Sequence, residues 1–495
     1  MKLILESEIS EYYVQTLCLI FFPGSKFRVD EEITDDTPVV FVKTEREDDH
    51  INAYVTVTVG EVTTFGTHSQ AISSRISYER AMKIAVGKAV FEAGEQYTEY
   101  TPAWGILTGI RPAKISGELL RSGMSEAQVR KTLRNEYFLN PKKASLLTAV
   151  SANEERIIAG VEPDECSLYI SIPFCPTRCA YCSFVSFSTK RLLSMIPDYL
   201  VRLLEDLEMV FGLIKEYGLK LKTVYIGGGT PTTLTAEQLS LIFDKIDEHI
   251  DVSTLSEFTL EAGRPDTVTA EKLTLAVNRG VTRVSINPQT LNDEVLERIG
   301  RKHTVEDFYK AFDLAREAGV KYINTDLIAG LPGDSYKSFS KSVDSILKLR
   351  PENITIHSFS IKKAAELAGI APELYSITGG EAFKSVEYSQ MKSKIAGYIP
   401  YYIYRQKNTV GNLENVGFAL PGAEGLYNIY IMEEVTHIFA VGAGSVTKLV
   451  NRAVPTIERV FMPKYPYEYL SMTKENVVEQ YVAKIRAFMS KNYGK

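Results

Sequence analysis

Between residue 166 and about residue 360, short β-rich runs alternate with helical segments, and this alternation constrains the fold more than any other feature of the chain. The six strand candidates are residues 167–172, 222–226, 257–262, 281–286, 321–328 and 353–359. The expected helices lie between them, at 193–216, 235–248, 267–279, 291–300 with 305–318, and 335–349. Six β-α units in sequence predict a parallel sheet with right-handed crossovers. We therefore expect an α/β fold built on an open, curled (β/α)6 barrel.

Polar or glycine-rich positions follow each of these strands, where an α/β barrel carries its chemistry. Three glycines after the second strand would expose backbone N–H and C=O groups to a ligand. Taken singly, each position could equally be a solvated loop residue or a helix cap. The positions at or just after the strand ends are Cys175, Cys179 and Cys182, then Gly227 to Thr232, Glu261, Asn287 and Gln289, Asp326, and His357 to Ser360.

The loop after the first strand contains Cys175, Cys179 and Cys182 in a C-x3-C-x2-C array. Soft thiolates select iron–sulfur clusters, zinc or cuprous copper. A [4Fe–4S] cluster normally takes four thiolates, so three leave one iron open to a substrate or cofactor. The alternative is a structural zinc site, which needs four ligands, and its fourth would have to be Cys166 on the incoming strand. The array therefore predicts a cluster with an open coordination position.

Length and composition describe an ordinary globular protein of two or three domains, with 495 residues, 45 % apolar and 24 % charged. The apolar run Leu17–Phe22 is too short to span a bilayer, and the acidic N-terminus does not resemble an export signal. Five cysteines do not make a disulfide framework, so we expect a reducing cytoplasm. A net charge of −6 argues against non-specific binding to nucleic acid or to anionic membranes.

Residues 1–165 are expected to form a separate α+β domain of unknown role. Residues 52–59 alternate as a half-buried strand does, with 39–42 as a neighbour. Ser77 can cap a helix to about residue 93, a capping box begins at Ser125, and Pro141 starts another helix. The turn-rich loop 101–114 contains the only tryptophan, Trp104; it is either a packed connector or a substrate lid whose Arg111 faces an anion.

From about residue 361 to residue 495 the regular alternation is lost, and we expect a mixed α/β region that covers the substrate. Aromatic and polar residues alternate at 401–404 as in a strand. Arg405, Lys407 and Lys448 are its candidate anion-binding residues, although solvated surface charge is the simpler interpretation of each.

Two phrases, LYISIPFCPTRCAYCSF at the first strand and GGGTPT about fifty residues later, resemble the radical S-adenosylmethionine (SAM) enzymes. The resemblance is closest to the oxygen-independent coproporphyrinogen III oxidases, also called dehydrogenases. WG with GIRP in loop 101–114 and YRQKN with GNLENVGFA near the C-terminus resemble their HemZ-type subgroup. The barrel resemblance covers roughly 165–360, and the subgroup resemblance covers nearly the whole chain.

The resemblance implies a [4Fe–4S] cluster held by Cys175, Cys179 and Cys182, with SAM on the open iron. It further implies oxidative decarboxylation of the propionates of coproporphyrinogen III to vinyl groups by a 5′-deoxyadenosyl radical, in haem biosynthesis. The partners implied are a tetrapyrrole substrate and an electron donor such as flavodoxin or ferredoxin. The positions that match SAM contacts of the family are Tyr169, Tyr181, Gly228, Gly229, Thr230, Glu261, Gln289, Arg301, Asp326 and Ser360.

Two positions depart from the dehydrogenase pattern. Phe184 stands where those enzymes have a fourth cysteine, and Ser171 stands where they have a histidine in the strand before the cluster. A phenylalanine at the first position resembles the HemW-like haem chaperones, which bind and transfer haem without abstracting hydrogen. The resemblance therefore implies a dehydrogenase, with a haem-binding and transfer protein as the alternative.

Overall fold

The computed structural model of the protein divides into two compact units. It describes residues 1–27, 34, 36–182, 186–360, 376–406, 409–454 and 456–494. The first unit comprises Met1–Asn153, Ala371–Phe383 and Ile403–Asn415; the second comprises Glu154–Ile370, Lys384–Tyr402 and Val416–Lys495. The predictions made at Phe184 and Lys407 lie outside the described residues. Over the part of the chain that is described, no helix has the length and apolar character needed to cross a membrane.

The first unit contains a four-stranded sheet of β1 (Lys2–Glu6), β2 (Val39–Glu47), β3 (His50–Val59) and β4 (Val62–Ala71), in that order. β1 pairs parallel with β2, and the remaining pairs are antiparallel. Both predicted strands are confirmed, because β3 alternates burial along its length with Val55 and Val57 inside. Gly66 on β4 lies so close to a helix that an added Cβ would meet the carbonyl oxygen of Ala89 at 1.9 Å.

The described part of the N-terminal region also contains the helices α1 (Glu11–Phe21), α2 (Tyr78–Thr98), α3 (Ala113–Arg121), α4 (Glu126–Tyr137) and α5 (Pro141–Ile158). The Ser77 side chain caps α2 by accepting from the Arg80 N–H, as predicted. The helix runs five residues further than expected and ends where Glu99 adopts a left-handed conformation. The capping box at Ser125 and the start of α5 at Pro141 are also confirmed.

A buried ion pair lies inside the first unit. Lys143 Nζ and Glu414 Oε1 are 2.6 Å apart, and both side chains are fully buried. The Trp104 indole N–H donates to Glu414 Oε2 at 2.7 Å, so the first half of loop 101–114 is packed, as the connector alternative requires. Arg111 is half-buried, and its contact with an anion stays a prediction.

The interpretation of Arg405 as solvated surface charge was wrong. Its guanidinium lies 5.0 Å from the centre of the Trp104 ring and donates to the carbonyls of Leu107 and Asn412, with only 3 % of the residue exposed. Packing against the indole and bonds to two main-chain oxygens explain its burial. Lys448 Nζ donates to the Ile431 carbonyl at 3.3 Å, and this hydrogen bond holds the lysine side chain against the protein surface.

The second unit contains the six predicted parallel strands, in sequence order: β5 (Glu165–Ile172), β6 (Lys220–Gly228), β7 (Glu257–Glu261), β8 (Arg283–Ser285), β9 (Tyr322–Ala329) and β10 (Asn353–Ser358). The connecting helices are α6 (Lys190–Leu193), α7 (Ile196–Glu216), α8 (Ala236–Asp247), α9 (Ala270–Asn278), α10 (Asp293–Arg298), α11 (Val305–Glu317) and α12 (Tyr336–Leu349). Strands and helices fall within a few residues of their predicted positions.

The C-terminal region extends this sheet at both edges. Its strands are β11 (Ile399–Tyr404), β12 (Asn415–Ala419), β13 (His437–Val441), β14 (Val446–Asn451) and β15 (Thr456–Phe461). β12 pairs antiparallel with β10, while β13 pairs parallel with β5, so the sheet has the order β11-β12-β10-β9-β8-β7-β6-β5-β13-β14-β15. The helices of this region are α13 (Gly380–Ile395), α14 (Leu426–Glu433), α15 (Pro466–Ser471), α16 (Lys474–Val477) and α17 (Ala483–Tyr493), the last following a π-helical turn at Val478–Val482.

A buried polar cluster closes the N-terminal end of the parallel strands. Arg283 at the start of β8 pairs with Glu257 at the start of β7 and donates to the carbonyls of Ala423 and Glu424. Glu257 in turn accepts from the first N–H groups of α14, a favourable place for a carboxylate. These buried groups therefore satisfy one another without a ligand.

Candidate functional site

The three cysteines lie on the loop that leaves β5. Cys175 and Cys179 are buried and Cys182 is half-buried. The Cys175 N–H donates to the Phe187 carbonyl at 3.0 Å, and the Ala180 N–H donates to the Ile299 carbonyl at 3.0 Å. The first bond closes the cysteine loop on itself, and the second holds the loop against the residue that follows α10.

Each sulfur has a polar neighbour of its own. The hydroxyl of Thr230 lies 3.3 Å from Cys175 Sγ, and that of Ser186 lies 3.7 Å from Cys182 Sγ. A guanidinium N–H of Arg264 donates to Cys179 Sγ at 3.7 Å. The pKa of Cys175 is raised to about 11, mainly by burial and to a smaller extent by the Cys182 and Cys179 sulfurs, while the Thr230 hydroxyl and the charge of Arg264 oppose the rise. The Cys175 thiol is therefore protonated at neutral pH when no metal is bound, and metal binding would release its proton.

The spacing of these sulfurs fits a cluster better than a single ion. Two thiolates on one tetrahedral zinc lie about 3.8 Å apart. In the described part of the chain, at least one pair of the three cysteine sulfurs is more than 4.8 Å apart. Cys166, the fourth ligand that the zinc alternative requires, is six residues from the end of β5, or about 20 Å along an extended strand. Three thiols with separate polar neighbours suit ligation of three different irons.

The glycine-rich turn after β6 packs directly on the cysteine loop. A Cβ on Gly229 would lie 2.9 Å from Cys175 Sγ and 2.6 Å from the Phe174 carbonyl oxygen, so no side chain fits there. Gly228 has φ +117°, a conformation that L-residues rarely adopt. The N–H of Thr230 donates to the Phe174 carbonyl at 2.8 Å. The predicted Gly228, Gly229 and Thr230 are thus brought against the first cysteine.

Glu261 ends β7 beside this turn. Its carboxylate accepts from the Tyr225 hydroxyl at 2.5 Å and from the Gly228 N–H at 3.2 Å. Burial raises the pKa of Glu261 to about 7, and the charge of Asp326 raises it too, while the two hydrogen bonds oppose the rise. The carboxyl group therefore changes its charge close to neutral pH.

Three tyrosines form a stack next to Glu261. The ring centres of Tyr225 and Tyr427 are 4.5 Å apart, and the ring of Tyr169 lies 6.0 Å from Tyr225 and 6.1 Å from Tyr427. Burial raises the pKa of all three phenols well above its usual value, so they remain neutral donors. Tyr169 is a predicted site residue, whereas the other two were missed.

Gln289 adopts a strained backbone conformation at the same end of the barrel. Its φ is +70°, which is uncommon outside glycine, and bonds from its N–H to the Asp326 carbonyl and from the Ile328 N–H to its own carbonyl hold it there. Its side-chain oxygen Oε1 is buried and has no hydrogen-bond partner. A buried carbonyl without a donor is costly unless a ligand supplies one.

Arg301 joins the cysteine loop to the strand ends. It donates to the Asn287 carbonyl at 2.7 Å, to the Gly263 carbonyl at 3.2 Å and to the Tyr181 hydroxyl at 3.2 Å. Tyr181 lies between the second and third cysteines, so this contact places two predicted residues together.

Asp326 lies beside His357, with His357 Nε2 3.5 Å from Asp326 Oδ2. Burial alone would raise the pKa of Asp326, but the hydrogen bond and the charge of His357 bring it below its usual value. Asp326 is therefore ionised at neutral pH, and its negative charge is one cause of the raised pKa of the neighbouring Glu261. Ser360 is half-buried two residues after β10. Ser171, which replaces the strand histidine, donates to the Ala443 carbonyl at 2.8 Å.

The structure brings the predicted residues other than Ser360 into two linked groups, and it adds three residues that sequence reasoning missed. One group surrounds the cysteines, and the other lies around Glu261. Arg264 could have been found from its place three residues after Glu261, and Tyr225 from its place two residues before Gly227 on the same strand. Tyr427 lies far away in sequence and carried no comparable signal.

Comparison with known proteins identifies the family to which the chain is similar. Residues 169–346 match the model of the radical SAM superfamily. The chain is 40 % identical over 387 residues to the oxygen-independent coproporphyrinogen-III oxidase-like protein HemZ of Bacillus subtilis, covering 76 % of this chain and 75 % of that one. It is 37 % identical over 197 residues to the haem chaperone HemW of the same organism, covering 40 % of this chain and 51 % of HemW. Its fold resembles the structure of the coproporphyrinogen III oxidase HemN of Escherichia coli, with a TM-score of 0.50 at 20 % identity over 66 % of this chain and 72 % of that one.

Proposed function

The chain belongs to the radical SAM superfamily and, within it, to the HemN- and HemZ-like proteins, and we propose that it catalyses the oxygen-independent oxidative decarboxylation of coproporphyrinogen III. Proteins of this superfamily use a [4Fe–4S] cluster and SAM. The single observation that carries the proposal is the cysteine loop on β5, packed against a glycine turn that leaves no room for a side chain beside Cys175.

In this proposal Cys175, Cys179 and Cys182 hold the cluster. When bound, the reduced cluster supplies the electron that splits SAM into methionine and a 5′-deoxyadenosyl radical. The chain contributes anchors for the loop, in the main-chain bonds of Cys175 and Ala180. It also contributes burial, which keeps water from a radical that would react with it.

The SAM molecule is proposed to lie across the strand ends. Gly228 and Gly229 bring the turn after β6 close to Cys175 without a side chain, and the unpartnered Oε1 of Gln289 offers an acceptor for a donor of the ligand. The carboxyl group of Glu261 can accept from ribose hydroxyls when it is ionised. Tyr169, Tyr181, Thr230, Arg301, Asp326 and Ser360 complete the proposed contacts.

The substrate is proposed to be a tetrapyrrole with propionate side chains. Transfer of one hydrogen atom from the β-carbon of a propionate to the deoxyadenosyl radical leaves a carbon radical on the substrate. Loss of CO2 and of one electron to an external acceptor then leaves a vinyl group. Two such reactions convert coproporphyrinogen III to protoporphyrinogen IX, and a one-electron protein such as flavodoxin or ferredoxin is the proposed donor.

The experiment is anaerobic turnover. The cluster is reconstituted, SAM, a reductant and coproporphyrinogen III are added, and protoporphyrin, CO2 and 5′-deoxyadenosine are measured. One CO2 and one 5′-deoxyadenosine per vinyl group would support the proposal. Consumption of SAM without protoporphyrin would reject coproporphyrinogen III as the substrate.

A second candidate function is haem binding and transfer. Its support is the 37 % identity to HemW over 197 residues. Titration of the cluster-loaded protein with haem distinguishes the two functions, because a chaperone takes up haem in stoichiometric amount and produces neither CO2 nor protoporphyrin.

A further inference from the structure

Arg264 is a buried cation next to the proposed cluster ligands. It follows β7 by three residues, and only 2 % of the residue is exposed. Its guanidinium forms a two-pronged pair with Asp266, with N–O distances of 3.1 and 3.1 Å. The remaining nitrogen donates to the Thr177 carbonyl at 3.2 Å and to Cys179 Sγ at 3.7 Å. The Arg264 side chain therefore contacts the cysteine loop at one main-chain carbonyl and at one sulfur atom.

The arrangement of the three guanidinium nitrogens determines which groups Arg264 contacts. Asp266 accepts from Nε and from one terminal nitrogen of the guanidinium. Because the guanidinium is planar, the other terminal nitrogen, which faces the cysteine loop, is held in one orientation. Asp266 is also 25 % exposed, which lets water screen its charge, whereas Arg264 is 3 % exposed at its side chain. The positive charge of Arg264 consequently acts on the sulfurs more strongly than the negative charge of its partner.

We propose that Arg264 is a positioning residue that holds the Thr177–Cys179 turn and makes the cluster easier to reduce. The inference rests on the cluster ligation proposed above. Reduction adds one negative charge to the cluster, and hydrogen bonds to the sulfurs together with a nearby cation stabilise the more negative state. Arg301 is a second buried cation at the same cysteine, with its donors on two carbonyls and on Tyr181.

A purely structural anchor would predict something different. If Arg264 only pinned the Thr177 carbonyl, its loss would lower the iron content or the stability of the loop, and the clusters that remained would keep their potential. An electrostatic contribution instead changes the potential of fully loaded protein. The reduction potential therefore separates the two roles, and neither substrate nor turnover is required.

The test is an anaerobic redox titration of the reconstituted full-length protein, followed by the electron paramagnetic resonance signal of the reduced cluster. The variants are Arg264→Met, which removes charge and donors at similar length, and Arg264→Lys, which keeps the charge but not the fork. Asp266→Asn is the matched control, because it removes the opposing charge. Iron and sulfide are measured in every sample.

We expect Arg264→Met to retain its iron and to show at least a tenfold lower ratio of reduced to oxidised cluster at a fixed potential, which corresponds to about 59 mV for one electron. Arg264→Lys should lie between Arg264→Met and the unchanged protein, and Asp266→Asn should shift in the opposite direction. An unchanged potential in loaded Arg264→Met overturns the proposal, and so does an equal negative shift in Asp266→Asn.

Should Arg264→Met lose its cluster, Arg264→Lys decides: a loaded cluster with a lowered potential supports the proposal, and loss of the cluster in both variants overturns it. Failure of the unchanged protein to bind iron would instead reject the proposed function, which keeps the two outcomes apart.

Discussion

Replacement of Glu261 by Gln tests the electrostatics of the proposed SAM site. The carboxyl group has a pKa of about 7 against its usual 4.5, with burial as the largest cause. Because the value is raised, the folded state retains a proton that the unfolded chain has released. The stabilising contribution is complete below pH 4.5 and is lost as the pH rises through about 7.

The magnitude follows from the two pKa values. Their separation of about 2.5 pH units, at about 1.4 kcal/mol per unit, gives at most about 3.5 kcal/mol. Solvent screening reduces this value, because the Glu261 side chain is partly exposed at the strand end. The groups that face this carboxyl group are the phenols of Tyr225, Tyr169 and Tyr427, the Gly228 N–H and the charge of Asp326.

The assay is urea unfolding of the metal-free protein at pH 5 to 8. Glu261→Gln mimics the protonated state, so the difference in free energy of unfolding, original minus variant, should fall as the pH rises. Glu216→Gln is the control whose difference should stay constant from pH 5 to 8, since a hydrogen bond from Arg486 lowers the pKa of this exposed carboxylate and its titration lies below that range. A difference that does not change with pH would refute the raised pKa of Glu261.

The same group should control the pH dependence of SAM binding. Tyr225→Phe keeps the ring stack but removes the hydroxyl that lowers the pKa of Glu261. If SAM binds the ionised carboxylate, its dissociation constant rises as the pH falls below about 7, and Tyr225→Phe moves this transition to higher pH. Equilibrium dialysis of the cluster-loaded protein measures it, and identical profiles for the two proteins would contradict the role of the hydroxyl.

Three further predictions concern the cluster, the first unit and the strained backbone. Cys179→Ser should abolish iron binding and the broad absorbance near 400 nm, while Cys166→Ser at the far end of β5 should retain both; full iron content in Cys179→Ser would reject the ligand assignment. Lys143→Met leaves Glu414 buried without its cation and should lower the free energy of unfolding by about 3–5 kcal/mol in urea, with part of the loss restored by adding Glu414→Gln. Gln289→Gly relieves a positive φ and should stabilise the metal-free protein by about 1 kcal/mol while weakening SAM binding several-fold, so tighter binding would contradict its proposed role.

The barrel could be predicted from the sequence because its signals are local. Each parallel strand is a short apolar run followed by a helical period, and both features are visible without knowing the partner strand. The edge strands were less accessible. His437–Val441 is a fully buried apolar run, but its pairing with β5 joins residues about 270 positions apart and follows no local pattern.

The site divides in the same way. The cysteines and glycines could be predicted because their identities carry the chemistry, whereas contacts that depend on register could not. Tyr225 reaches Glu261 only because β6 and β7 pair with Tyr225 opposite Thr259. The prediction for Arg405 was wrong for a related reason. The glycine turns on either side of this arginine do not indicate that a tryptophan ring about three hundred residues away packs against its guanidinium.

The two ends of the barrel differ in how completely their buried polar groups are satisfied, and this difference indicates which end works on a ligand. At the N-terminal end, Arg283 and Glu257 find partners in each other and in the chain before α14. At the C-terminal end, Gln289 combines a strained backbone with an orphaned side-chain oxygen, and Glu261 holds a raised pKa. A fold that satisfies one end so fully could satisfy the other, so the strain and the open acceptor are best explained by a ligand that supplies the missing donors.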